Sequence, residues 1–146
     1  IDRLGTVAYL SDRDNGTITK IDLATSTSAG SFPVGGNPQE IVLSPGSTEL
    51  FIADESGSLQ IWSLIDQVKR GMITVPGGAF AMAVTPDWHQ MYISSANGGA
   101  VSFVDWATGS VLNSVTTGGT PRRVAFTQDG ARAVVANEGG WVDTIE

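Results

Sequence analysis

The residues best suited to chemistry are two adjacent arginines, Arg122 and Arg123, placed directly after Gly118-Gly119-Thr120-Pro121. Paired guanidinium groups hold a carboxylate or phosphate through forked, charge-assisted hydrogen bonds. Gln39 and Glu40 stand at the equivalent place 83 residues earlier, and Phe80 and Ala81 stand between them. The same residues admit a second reading, an Arg–Glu contact between neighbouring units or plain solvation. Trp141, after Gly139-Gly140, is the aromatic side chain placed to stack on a ligand near them. Trp62 alternates with Leu59 and Ile61 and is expected to pack, while Trp88 and Trp106 fall in turns.

Two other groups invite a chemical reading. Asp12-Arg13-Asp14-Asn15-Gly16 spaces oxygen ligands as a calcium loop does, which makes Asp12 and Asp14 a weak calcium candidate. The twelfth position holds Leu23 instead of Glu, and Asn-Gly makes a tight hairpin turn without metal. His89, the only histidine, lies in Pro86-Asp87-Trp88-His89-Gln90 with no serine or carboxylate set out as a triad, and reads as a solvated turn residue. There is no cysteine, which removes disulfides, thiolate metal sites and cysteine nucleophiles. No catalytic residue, resident metal or cofactor is expected.

Elements of a particular kind must position these groups, and composition narrows the choice. The chain has 146 residues, 41% of them hydrophobic and 16% charged, with 18 glycines. Eight basic against fifteen acidic residues give a net charge of −7, so phosphate backbones are repelled and nucleic acid is not expected as a partner. No apolar run approaches the roughly 18 residues of a membrane-spanning helix.

The chain repeats. Gly35-Gly36, Gly77-Gly78 and Gly118-Gly119 recur at spacings of 42 and 41. Tyr9, Phe51, Tyr92 and Val134 recur at 42, 41 and 42, and Asp12, Asp54, Ser95 and Asn137 mark a further position in phase with them. Within a period the pattern reads as four short strands with β-branched residues and period-2 alternation, separated by turns such as Ser44-Pro45-Gly46 and Ala107-Thr108-Gly109. Ser63 to Arg70 reads as a longer hairpin turn. Four strands in about 40 residues are the mark of a propeller blade. The fold class expected is all-β, a β-propeller arc of about 3.5 four-stranded blades belonging to a closed ring of about seven. One propeller domain is divided into partial blade 1 (1–34), blade 2 (35–76), blade 3 (77–117) and partial blade 4 (118–146).

These phrases resemble the Tyr-Val-Thr-Asn (YVTN) repeat family of bacterial and archaeal propellers. The resemblance rests on Leu50-Phe51-Ile52-Ala53-Asp54, Met91-Tyr92-Ile93-Ser94-Ser95 and Ala133-Val134-Val135-Ala136-Asn137. It also rests on Val34-Gly35-Gly36-Asn37-Pro38, Thr117-Gly118-Gly119-Thr120-Pro121 and the Asp105-Trp106-Ala107-Thr108-Gly109 turn. The second blade departs from the pattern, with Ser63 in place of Asp and a shortened Pro76-Gly77-Gly78-Ala79. The resemblance implies ligands at the channel mouth, where Gln39, Glu40, Phe80, Arg122, Arg123 and Trp141 would lie, with His89 at the opposite end. It also implies a periplasmic, cell-surface or secreted setting.

The first and last repeats are incomplete, so the chain is expected to be part of a longer propeller or to pair with a second copy. Its expected partners are other blades, with a protein or small anionic ligand at the mouth. The function expected is a non-catalytic binding or scaffold module. Two alternatives follow from the resemblance. One is a portion of a quinoprotein or haem-d1 oxidoreductase or a propeller lyase, completed by other blades. The other is a surface-layer or adhesion repeat. Fold alone does not choose among them.

Overall fold

A computed structural model describes residues 1–146. It contains fourteen strands and no helix, arranged as four antiparallel sheets. Blade 1 is β1 (Val7–Asp12), β2 (Thr17–Asp22) and β3 (Thr27–Pro33). Blade 2 is β4 (Pro38–Leu43), β5 (Glu49–Asp54), β6 (Ser58–Ser63) and β7 (Val68–Thr74). Blade 3 is β8 (Ala81–Val84), β9 (Gln90–Ser95), β10 (Ala100–Asp105) and β11 (Ser110–Thr116). Blade 4 is β12 (Pro121–Phe126), β13 (Ala133–Asn137) and β14 (Trp141–Ile145). Each sheet is a simple meander in chain order. The first strands β4, β8 and β12 approach one another and mark the axis of the arc.

The strand run Leu50-Phe51-Ile52-Ala53 is apolar throughout because both faces of the blade are covered. Leu50, Ile52 and Trp62 look back onto Ile18, Phe32 and Val34 of blade 1. Phe51, Ala53 and Leu59 look forward onto Met82, Met91, Ile93 and Val104 of blade 3. The next interface sets Val101, Tyr92 and Phe103 against Val124, Ala133, Val135 and Ile145. Aromatic pairs cross the interfaces, Phe32–Trp62 with ring centroids 5.7 Å apart and Tyr92–Phe126 at 4.8 Å. The outermost strands β3, β7 and β11 are largely exposed, as their serines, lysine and asparagine require.

The residue that ends the second strand of blades 2, 3 and 4 locks the Gly-Gly loop. Asp54 accepts from the Asn37 N–H at 2.9 Å, and Asn137 Oδ1 accepts from the Thr120 N–H at 2.8 Å. In blade 3 the Ser95 hydroxyl donates to the carbonyls of Pro76, at 2.6 Å, and Gly78. Gly78 has φ +83°, and a Cβ there would run into the backbone carbonyl of Glu55, so only glycine lets blade 3 sit this close to blade 2.

The expectation of a longer turn at Ser63–Arg70 is corrected. β7 begins at Val68, leaving a four-residue turn, 64–67, of the same length as its counterparts. Gln67 takes the left-handed conformation, φ 55°, at the position held by Ser26 (φ 56°) and Gly109 (φ 73°). Asp22 and Asp105 cap their turns by accepting from backbone N–H groups. Ser63 makes no such bond, and Asp66 braces the turn through Arg70 at 2.5 Å.

Candidate functional site

The mouth of the arc is built by the starts of β4 and β12, by Phe80 just before β8, and by the residues that follow β1, β5 and β13. It brings together Gln39, Glu40, Phe80, Arg122 and Arg123. Glu40, Ala81 and Arg123 share one repeat position on three successive blades. Because blade 3 contributes only a methyl group there, Arg123 Nη1 reaches across it and pairs with Glu40 Oε1. The other oxygen of Glu40 accepts the N–H of Met82 at 2.7 Å, which satisfies an inward-facing edge group of β8.

Arg122 lies with its guanidinium carbon 4.2 Å from the Phe80 ring centroid, a cation–π arrangement. Its Nη2 donates to Glu138 Oε2 at 3.1 Å. Its Nε lies 2.8 Å from Glu138 Oε1, but the N–H is not directed at that oxygen, so this contact is charge to charge. Glu55 Oε2 accepts from Gln39 Nε2 at 2.7 Å and from Arg13 Nε and Nη2 at 3.1 and 3.0 Å. Burial pushes the Glu55 carboxyl up, but Gln39 and Arg13 outweigh it and hold the group below its ordinary range. The result is a shallow depression of about 600 Å³ in which three guanidinium groups and two of the three carboxylates meet around one aromatic ring, with Glu40 flanking it.

Arg13, Glu55 and Glu138 were not among the residues that sequence reasoning selected. The signal was available, since each directly follows the marker residue of its blade, Asp12, Asp54 and Asn137. Charge at that phase passes from Arg in blade 1 to Glu in blades 2 and 4.

Trp141 does not line this depression. Its indole lies over Gly119 and Gly139, and its Nε1 donates to Asp143 Oδ2 at 3.0 Å. A Cβ at Gly119 would come within 2.8 Å of the ring, so the missing side chain makes the seat. Asp12 uses its oxygens to close the hairpin, accepting from the Asn15 N–H at 3.0 Å and Nδ2 at 2.8 Å. Asp14 points into solvent and touches Arg13 at 3.3 Å. His89 lies in the turn between β8 and β9, its Nδ1 3.0 Å from Asp87 Oδ2. Hydrogen bonds from the Thr85 hydroxyl and from the His89 backbone and ring bring the Asp87 carboxyl down to about 2.

The bridge between Glu40 and Arg123 is wet, with the Arg123 side chain 75% exposed. Arg123→Ala, which removes the bridge and leaves the Glu40 bond to Met82, is therefore expected to cost no more than about 1 kcal/mol of stability. Melting in low salt should show the loss, and melting in 1 M salt should erase it.

The family model of the Choice-of-anchor I domain matches residues 58–144. No curated protein matches the chain. Among solved structures, hydrazine synthase of Kuenenia stuttgartiensis superposes on 100% of this chain with a TM-score of 0.88 and 20% sequence identity. This chain spans 44% of that protein's chain, and at such identity the likeness concerns the fold alone.

Proposed function

This chain belongs to the Choice-of-anchor I domain family, and from that premise we propose that it is a non-catalytic binding module working outside the cytoplasm. The family name speaks of an anchored domain, which suits a protein held at a cell surface. We read the repeat as of the YVTN type, on the phrases that recur in every blade.

The observation that carries the binding reading is the mouth itself. Three of the eight basic residues of an acidic chain converge there, beside the face of Phe80. The solitary His89 sits in a different turn, beside Asp87. The arrangement favours a partner that presents a carboxylate or phosphate to Arg122 and Arg123. Each guanidinium already faces a carboxylate, so an incoming anion must share or displace it. That favours modest affinity with strong dependence on geometry and salt.

The test is calorimetric titration with a short acidic peptide as probe. Arg122→Ala/Arg123→Ala is expected to weaken its binding by about tenfold or more, since hydrogen bonds to charged groups contribute about 1.5–3 kcal/mol each. Affinity unchanged by the double substitution removes the mouth as the binding site.

A further inference from the structure

Two pairs of mouth residues stand in bulges. Between Pro121 and Val124 the pairing of β12 with β13 slips, three steps along β12 facing two along β13, and Arg122 and Arg123 occupy the slip. Blade 2 does the same between Pro38 and Ile41, which places Gln39 and Glu40 in the slip. Blade 3 does not. There β8 runs in unbroken register with β9 from Ala81 to Val84, and the shortened Pro76-Gly77-Gly78-Ala79 loop lacks the extra residue. A bulge re-aims a side chain, but it also takes residues out of the ladder that would otherwise fix them.

A serine of the preceding blade holds each bulge. Ser11, in β1, donates its hydroxyl to the carbonyl of Gln39 at 2.7 Å. Ser94, in β9, donates to the carbonyl of Arg122 at 2.5 Å. The two serines share one repeat position, and blade 2 has Ala53 there, facing the blade without a bulge. Serine and bulge are thus present together at two interfaces and absent together at the third. Ser94 is 0% exposed and makes two further bonds. Its hydroxyl oxygen accepts the Ala81 N–H at 3.1 Å, and its carbonyl accepts the Phe80 N–H at 2.9 Å. One buried residue therefore fixes the backbone on both sides of the Arg122–Phe80 contact.

We infer that Ser11 and Ser94 are positioning residues of the mouth, whose hydroxyls hold the bulges that aim Gln39 and Arg122. For ligand affinity this rests on the mouth being the binding site, whereas the aim of the two side chains needs no ligand. Ser94 acts through Arg122, keeping its guanidinium against the ring of Phe80. Ser11 acts through Gln39, keeping its amide on Glu55.

The experiment is nuclear magnetic resonance of the unaltered chain, Ser94→Ala, Ser11→Ala and Ser11→Thr, followed by calorimetric titration with the short acidic peptide. Ring current from Phe80 displaces the Arg122 side-chain resonances, and Phe80→Leu marks their undisplaced position. Ser94→Ala is expected to move them toward that position. Ser11→Ala is expected to shift the Gln39 side-chain amide, and Ser11→Thr, which keeps the hydroxyl at a half-buried site, to restore it. Ser44→Ala is the control for general loosening, because its hydroxyl serves the Thr48 and Glu49 N–H groups in the turn at the far end of β4. It should lower the Tm and leave both sets of resonances in place. Ser94→Ala should weaken peptide binding about three- to tenfold, the range of one hydrogen bond. Arg122 resonances unmoved in Ser94→Ala, or moved equally in Ser44→Ala, overturn the inference. Peptide affinity unchanged in Ser94→Ala but weakened by Arg122→Ala/Arg123→Ala overturns it as well. If the double substitution itself has no effect, the mouth reading falls, and the resonances alone decide the positioning role.

Discussion

Asp54→Ala is expected to lower the unfolding free energy by about 3 kcal/mol or more, the largest effect of any polar substitution in the chain. The carboxylate is buried and accepts four hydrogen bonds. They come from the Asn37 N–H and Ser56 N–H, both at 2.9 Å, the Ser56 hydroxyl at 2.6 Å and Gln60 Nε2 at 2.7 Å. Gln60 in turn accepts the indole N–H of Trp62 at 2.8 Å, so the loss propagates into the core between blades 1 and 2. Removing one acceptor strands several buried donors, and stranding costs more than forming such bonds contributes. Thermal unfolding should show a fall on the order of 6–12 °C for a chain of this length. Asp54→Asn should cost less, because its amide oxygen can keep the three bonds now made to Oδ1, while the bond from Gln60 Nε2 to Oδ2 is lost. A Tm for Asp54→Ala within 2 °C of the unaltered chain would remove this account of the loop.

The same carboxylate sets an acid dependence. Burial pushes the Asp54 carboxyl up, yet the hydrogen bonds of Ser56, Asn37 and Gln60 prevail and hold it below its ordinary value. A group depressed in the folded state stabilises fully above its unfolded pKa, about 3.9, and loses that contribution as pH falls through the folded pKa. The unaltered chain should therefore lose more stability than Asp54→Asn as pH falls below about 4.

Phe51→Ala is the second large effect, expected at about 3–5 kcal/mol. Phe51 is wholly buried at the centre of the interface between blades 2 and 3. It meets Trp106 edge to face with centroids 5.2 Å apart, and Trp106 donates its Nε1–H to the Trp88 carbonyl at 2.9 Å. The cavity cannot collapse without moving a blade, because the neighbouring side chains belong to two rigid sheets. Met72→Ala, at a position 61% exposed on an outermost strand, should stay within about 0.5 kcal/mol. Domains of this kind are stable by only about 5–15 kcal/mol, so chemical denaturation should resolve the two variants easily.

The sheets were legible because three markers share one period, and each marker has a physical task that any blade must perform. Phe51 and Tyr92 fill an interface, Gly78 permits a close approach, and Asp54, Ser95 and Asn137 tie a loop. The 64–67 turn was misjudged because the usual capping Asp is replaced by Ser63, and the left-handed residue there is Gln67 instead of the glycine that advertises such a turn. At the mouth, repeat phase alone placed Gln39, Glu40, Phe80, Arg122 and Arg123 together. It could not tell that Arg123 would pass over Ala81 to a blade two steps away, since that depends on how closely the first strands of the arc approach one another. Trp141 stands near a Gly-Gly hairpin at the mouth, but Gly119 and Gly139 leave a seat that draws its indole aside.

The simple meander of every sheet has a kinetic side. All strand pairings lie between consecutive segments, so loop closure is short throughout, and the chain can build itself blade upon blade from any starting point. The bridge from Glu40 to Arg123 spans 83 residues and needs three blades in place. It is thus a late event in assembly, and the mouth is finished only after the arc that carries it.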